Sequence, residues 1–474
     1  MKLNITCHSR QFLFDTISPT SAYLAVRNLF PGSVLLESTE FSSSREGKSI
    51  IGFDLISRLS VKENAMRILF PGKPEILTPI HDEFPLNCVS NYLESFKTIN
   101  SDGVTNGFFV FHSFETFAAY ESPDAGLNRF SDPHIPLLEY RLFRYVLTFN
   151  HYNGKAVLVQ NCLSGEEPDL DSVCTTIFSE KGSDFPVFVS SEEQPDCLKE
   201  EFLEKVKTCQ QMIRKGEIFQ AVISRGFSRK FRGDDFRLYR ALRVVNPSPY
   251  MFYFDFDSFK IFGSSPEAQI RVDGREATLR PIAGTIARTH NAETDTLLEK
   301  GLLSDPKENA EHAMLVDLAR NDLNRNCRNV SVKELKKVVR FSHVSHLESE
   351  VAGTIPGSMN GINIFLDTFP AGTLSGAPKI RAVQIINELE GKPRGYFGGS
   401  IGYLSFSGEL NLAIIIRSFY SNMGVLNYRA GAGIVLDSKP EAEFQEIENK
   451  ISALRKAIEM TQNQKLHYEK SFVD

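Results

Sequence analysis

Asn153-Gly154 stands between two apolar runs, Tyr145-Val146-Leu147-Thr148-Phe149 and Ala156-Val157-Leu158-Val159. Asn-Gly tolerates the positive φ angles of a two-residue turn, so the flanking runs are predicted to pair antiparallel. Asp273-Gly274 marks a second such hairpin. Further strands are expected at Ser33–Ser38, Phe108–Phe111, Ile218–Ser224, Val330–Phe341, Tyr396–Phe406, Asn411–Tyr420 and Val425–Leu436. Helices are expected at Lys199–Lys215, Phe236–Val245, Ala292–Leu303, Pro306–Asn324, Pro378–Leu389 and Pro440–Met460. Long hairpin-linked strands with helices between them, and no regular βαβ alternation, predict an α+β fold. The expected form is two large antiparallel β-sheets in a sandwich with helices on the outside.

With 474 residues the chain has room for one large domain or two to three ordinary ones. Between Ser164 and Asp196 it turns polar, acidic and Ser-rich, which reads as a connection carrying a helix at Leu170–Ser179. The division is therefore 1–165, 166–196 and 197–465. A net charge of −6 argues against a nucleic-acid partner, which normally leaves a basic stripe. No apolar run reaches the ~20 residues of a membrane span. The start, Met1-Lys2-Leu3-Asn4-Ile5-Thr6-Cys7, lacks a signal-peptide core. Seven scattered cysteines without C-x-x-C predict free thiols in a reducing cytoplasm.

Two helix starts share a pattern. In Asp305-Pro306-Lys307-Glu308-Asn309-Ala310-Glu311, Asp305 suits the N-cap and Pro306 the first helical position. Glu308 and Glu311, three apart, project from one face. Asp437-Ser438-Lys439-Pro440-Glu441-Ala442-Glu443-Phe444-Gln445-Glu446 repeats the spacing with Glu443 and Glu446. Acidic first turns complement the helix dipole, so capping alone accounts for these residues. The alternative is that the two helix mouths meet around a hard divalent cation such as Mg²⁺, which takes few protein carboxylates and fills its shell with water and substrate oxygens.

Glycine-rich turns recur at Pro281-Ile282-Ala283-Gly284-Thr285, at Gly372-Thr373-Leu374-Ser375-Gly376, at Gly398-Gly399 and at Ala430-Gly431-Ala432-Gly433. Each serves either as a bend or as a set of amides open to an oxyanion. Arg417 ends the run Ala413-Ile414-Ile415-Ile416 and either faces solvent or pairs with a carboxylate. His346 is either a proton carrier or a hydrogen-bonded strand histidine. Glu267, after Ser264-Ser265-Pro266, is a general acid or a turn carboxylate.

Together these segments resemble the chorismate-utilising enzymes, and within them the large subunits of anthranilate synthases. The resemblance is close from Leu198 to Ile458 and looser before it. It rests on Ile218-Phe219-Gln220, Gly263 to Glu267, Arg280 to Thr285, Glu308 to Leu323, Gly372 to Lys379 and Ala430 to Glu446. It implies that Glu311 and Glu446 ligate Mg²⁺ with Glu308 and Glu443 nearby. It implies that Gly284, Thr285, Thr373, Phe397, Arg417, Gly431, Ala432, Gly433 and Lys450 surround chorismate. Glu267 would protonate the departing 4-hydroxyl as ammonia attacks C2, and His346 would assist removal of the C2 proton with loss of pyruvate.

Two positions bear on the nucleophile. Water-using relatives typically carry a lysine where Gln220 stands, and aminodeoxychorismate synthases a lysine where Ala283 stands. Neither residue here offers an amine, so the resemblance implies direct ammonia attack and anthranilate as product. The rivals are an aminodeoxychorismate synthase, an aminodeoxyisochorismate synthase, or a non-catalytic chorismate or tryptophan sensor. Ser38, Pro249, Tyr250 and Met251 resemble a tryptophan feedback pocket. No G-x-C-x-G glutaminase turn is present, so a separate glutamine amidotransferase subunit is expected, in a heterotetramer of two large and two small subunits. There are departures: Phe397 stands where a substrate-contacting tyrosine is usual, with Tyr396 beside it, and Ile286-Ala287-Arg288-Thr289 replaces a commoner R-P-R-G.

Overall fold

The computed structural model describes residues 2–38, 47–62, 64–80, 85, 87–101, 103–121, 132–179, 182, 184–289, 291–340, 344–357 and 359–470. The Asn153-Gly154 turn forms as expected, joining strands Leu138–Asn150 and Lys155–Leu163 with Gly154 at φ 68°. Asp273-Gly274 likewise joins Ala268–Asp273 to Glu276–Leu279.

From these hairpins two antiparallel layers are built. One runs Gln220–Gly233, Val425–Ile434, Ser418–Asn422, Phe259–Ser265, Tyr250–Asp255, Val34–Glu37, Lys48–Lys62 in order of pairing. The other runs Val344–Thr354, Glu276–Leu279, Ala268–Asp273, Leu410–Ile414, Ser400–Ser405, Gly107–His112. The long strands Lys48–Lys62 and Leu138–Asn150 pair with each other and turn the corner between layers. One end of Leu138–Asn150 pairs with Gly107–His112 and the other with Lys155–Leu163. A register shift between Leu55 and Ser57 falls in the middle, where an extra residue bends a strand.

Phe109, Phe111, Leu142, Phe254, Ile270, Ile401 and Leu412 fill the space between the layers, all buried. A second apolar layer lies outside the first sheet. There Phe202, Leu242, Ile386 and Ile451, from helices Lys199–Arg214, Asp235–Val245, Lys379–Glu390 and Pro440–Lys470, cover Ile223, Tyr428 and Ala432. This is the α+β sandwich with outer helices. Strands from both halves of the chain share its layers: Leu36 lies opposite Phe252, and Phe111 opposite Ile401. The polar stretch 166–196 holds the expected helix Leu170–Ser179 and two short strands at Val187–Val189 and Gln194–Pro195.

Several boundaries differ from expectation: the strand placed at Ile218–Ser224 runs from Gln220 to Gly233, and that at Tyr396–Phe406 only from Ser400 to Ser405. The last helix continues to Lys470, since no Gly or Pro follows Met460 to stop it. The strand from Arg328 ends at Arg340; 341–343 lie outside the described residues. The run Asn411–Tyr420 is two strands, Leu410–Ile414 in one layer and Ser418–Asn422 in the other. Between them Arg417 adopts φ 48°, a left-handed conformation that lets the chain cross over. All seven cysteines are buried and free. No helix among the described residues is long and apolar enough to cross a membrane.

Candidate active site

The site forms where the chain changes layers. Glu267 lies between Phe259–Ser265 and Ala268–Asp273, just as Arg417 lies between its two strands. The two crossings hold each other: Ile414 N–H donates to Glu267 O at 3.1 Å, and Ser264 N–H to Arg417 O at 3.1 Å. A third segment is tied in by Ile415 N–H to Gly399 O and Gly398 N–H to Ile415 O, both 2.9 Å. The carboxylate of Glu267 is buried, and Thr373 Oγ1 donates to its Oε1 at 3.0 Å. Burial pushes this carboxyl up to about 8 despite the Thr373 bond and the nearby Lys450 and Arg417 charges; Glu348 adds to the rise. Glu267 is therefore a protonated acid at neutral pH.

His346 sits on Val344–Thr354, opposite Thr285, in a register that shifts between Ala283 and Thr285. Its Nδ1 lies 3.0 Å from Gly284 O. Burial, with Arg417 next in effect, brings the imidazole down to about 4, so it is neutral and able to accept a proton. Arg417 is thus the shared electrostatic neighbour of the acid and the base. Burial pulls its own guanidinium below the usual value, and Glu267 opposes that shift.

The acidic helix starts flank this centre. Asp305 caps the helix Pro306–Asn324, its Oδ1 accepting from Glu308 N–H at 3.1 Å. Gly284, at φ 61°, lies under Glu308: a Cβ there would stand 3.1 Å from Glu308 Oε2 and 2.8 Å from Leu302 Cδ1. At Gly433 an added Cβ would meet Gln220 Nε2 at 2.5 Å, with Glu311 Oε1 at an ordinary contact distance of 4.0 Å. Glu443 is buried in the first turn of Pro440–Lys470. Glu446 is half-exposed and pairs with Lys450 Nζ at 2.6 Å. Among the described residues no three carboxylate, imidazole or thiolate groups form a ready ligand cage. The donors are all carboxylate oxygens, and Gly284 leaves room beside Glu308 that a Cβ would take, so the set suits a hard cation that keeps waters in its shell.

Gly431, Ala432 and Gly433 pair on one edge with Ser224, Ile223 and Val222, and on the other edge the ladder to Ser418–Asn422 ends at Tyr428. Lys450 Nζ also donates to Gly431 O at 2.8 Å. Thr285 is on the strand Ile282–Ala287, but its side chain lies outside the described residues. Phe397 is buried, with the Arg394 guanidinium 5.9 Å from its ring centre. Tyr396 is buried beside it, with its ring stacked on Tyr420 at 5.5 Å. At a distance from this centre, Ser38, Pro249, Tyr250 and Met251 line one cavity of about 210 Å³, together with Glu37 and Arg271.

Several residues that build the site carry no sequence signal. Arg394, 4% exposed, donates to Leu374 O, Val222 O and the Glu390 carboxylate, so it fixes both the Thr373 loop and the Gly431–Gly433 floor. Glu115, from the N-terminal half, accepts from Arg394 N–H at 2.6 Å and Gly395 N–H at 3.1 Å. His312 lies 2.6 Å from Ser349 Oγ and locks the Glu308–Glu311 helix to the strand bearing His346. Gln210 Nε2 donates to Leu436 O and Ser438 O, fixing the turn before Glu443.

A buried acid and a buried imidazole with one arginine as their common neighbour make an acid–base enzyme site. The sequence pattern of the chorismate binding enzyme family matches residues 38–456, and the chain belongs to that family. Anthranilate synthase component 1 of Aquifex aeolicus is 36% identical over 470 residues, 95% of this chain and 94% of its own. The protein of that name from Mycolicibacterium smegmatis is 37% identical, over 95% of this chain and 90% of its own. The crystal structure of anthranilate synthase component I from Streptococcus pneumoniae matches with a TM-score of 0.73 and 31% identity, covering 86% of this chain and 92% of that one. The menaquinone-specific isochorismate synthase of Escherichia coli shares the fold, with a TM-score of 0.73 at 21% identity over 96% of this chain and 95% of its own.

Proposed function

We propose that this chain is the chorismate-consuming component of an anthranilate synthase, converting chorismate and ammonia to anthranilate and pyruvate in the first committed step of tryptophan biosynthesis. The observation that carries this reading is the protonated Glu267 and neutral His346 sharing Arg417, with no amine at Gln220 or Ala283. Arg417, Gly284 and the Gly431–Gly433 strand bind the substrate carboxylates. Glu267 gives its proton to the 4-hydroxyl, which leaves as water while ammonia adds at C2. His346 then takes the C2 proton as pyruvate departs and the ring becomes aromatic. Gln220 and Ala283 leave no side-chain base or nucleophile to divert the reaction.

Glu311 and Glu446, with Glu308 and Glu443 nearby, would hold Mg²⁺, which when bound would supply positive charge for the ring carboxylate and Lewis-acid polarisation of the ring. Ammonia comes from glutamine through a separate amidotransferase subunit, in an assembly of two large and two small subunits. Tryptophan binds the cavity lined by Ser38, Pro249, Tyr250 and Met251, where Arg271 is the cationic residue of the lining. Because strands of both halves share the layers, occupancy there has a route to the catalytic half. The names of the relatives support this reading. The purified chain given chorismate, Mg²⁺ and an ammonium salt should form fluorescent anthranilate; a non-aromatic amino product, or binding without turnover, would contradict it.

A further inference from the structure

Behind Glu267, on the side of the helix Pro306–Asn324, lies a second and much smaller cavity of about 40 Å³. Glu267, Gln269, Arg280, Asp322, Thr368 and Thr373 supply its polar lining. Gln269 is 2% exposed and its Nε2 donates to Thr368 O at 3.3 Å, yet its Oε1 is buried with no hydrogen-bond partner among the described residues. Lys379 Nζ reaches the same Thr368 O at 2.9 Å and Asp322 Oδ2 at 2.9 Å. A buried amide oxygen beside a polar cavity this size suits about one or two ordered waters.

We propose that this cavity is an internal water site through which Glu267 regains its proton, with Gln269 positioning the water and the Asp322–Lys379 pair passing the proton in from outside. The inference rests on the assignment of Glu267 as the acid of the anthranilate synthase reaction. Each turnover takes one proton from Glu267 when the hydroxyl leaves as water, and frees one from the nitrogen of the attacking ammonia. Glu267 cannot act again until one proton returns to its carboxylate, and no electrons move in that exchange. Arg417, Lys450 and Glu348 are the charged groups that act on Glu267 itself. On the far side Asp322 faces Lys379, Arg325 and Asp367, and Asp367 is held by Asn326 on an exposed surface. Burial raises the Asp322 carboxyl and lowers the Lys379 ammonium, which brings the two groups closer to exchanging a proton.

The test compares the first turnover with the steady state in the full chain, using chorismate, Mg²⁺ and ammonium. Gln269→Leu removes the acceptor but keeps an apolar filler; Asp322→Asn removes the proton carrier. Rapid-quench measurement should show a first equivalent of anthranilate at the wild-type rate, then a steady state slowed at least about tenfold, with a larger solvent deuterium effect than in the wild type. Equal slowing of both phases, or no slowing of either, would overturn the relay. Should Asp322→Asn fail to fold, as judged by thermal melting, Gln269→Leu alone decides. Failure of the underlying functional reading looks different, since the wild-type chain would then make no anthranilate, and the relay falls with it.

Discussion

Thr373 Oγ1 donates to Glu267 Oε1 at 3.0 Å, joining a glycine-rich loop to a layer crossing 106 residues earlier. The bond favours the ionised carboxylate while burial favours the neutral acid, and burial wins, leaving Glu267 at about 8. Thr373→Val should therefore raise the Glu267 value further and move the alkaline limb of the rate profile upward, while the less well-aimed acid works more slowly. Glu267→Gln should lower kcat by ~10²–10⁴-fold with chorismate binding largely retained. Steady-state kinetics across pH check both, and an unchanged alkaline limb in Thr373→Val would disconnect the two residues.

The pH profile follows from the two shifted groups. Glu267 must carry its proton, so activity at fixed free ammonia should fall as pH rises through about 8. His346 must be neutral, so activity should fall as pH drops through about 4. Between these values the rate should be flat. His346→Gln should impair pyruvate loss more than amination, so a non-aromatic amino intermediate accumulates, visible by chromatography. Equal loss of both steps would remove His346 from the second.

Gly284 combines φ 61° with a Cβ position 3.1 Å from Glu308 Oε2. Gly284→Ala should cost ~1–2 kcal/mol of backbone strain and displace Glu308, raising the Mg²⁺ concentration needed for half-maximal activity. A Mg²⁺ titration identical to wild type would detach Glu308 from the metal.

Much of this molecule was legible in the sequence, and the failures share a cause. Asn153-Gly154 fixed a hairpin, and the capped helix Pro306–Asn324 and the helix Leu170–Ser179 fall where their periodicity puts them. Local signals sufficed there. The run Asn411–Tyr420 looked like one strand because Ala413 to Ile416 is uniformly apolar, and nothing local shows that Arg417 adopts a left-handed φ. For Glu267 and Arg417 the residues alone leave a bland and a functional reading open, because what makes them a site is the meeting of two layer crossings distant in sequence. Gln269 and Arg394 had no signal at all: a buried amide on a strand and an arginine in a turn acquire meaning only from their three-dimensional neighbours.

Ser38, Pro249, Tyr250 and Met251 line a cavity of about 210 Å³ that is separate from Glu267 and His346. Ser38→Leu should fill part of it and shift the tryptophan inhibition curve at least about tenfold toward higher concentration, an effect of ~1.4 kcal/mol on effector binding, with uninhibited activity preserved. An unchanged inhibition curve would place the effector elsewhere.

As proposed, the site both adds ammonia to chorismate and completes aromatisation. The most direct measurement is product formation by the purified chain with chorismate, Mg²⁺ and ammonium salt, without any partner subunit. Anthranilate and pyruvate should form in equal amounts, and both should be lost in Glu267→Gln. Isochorismate, a non-aromatic amino product from the wild-type chain, or no turnover despite chorismate binding would contradict it.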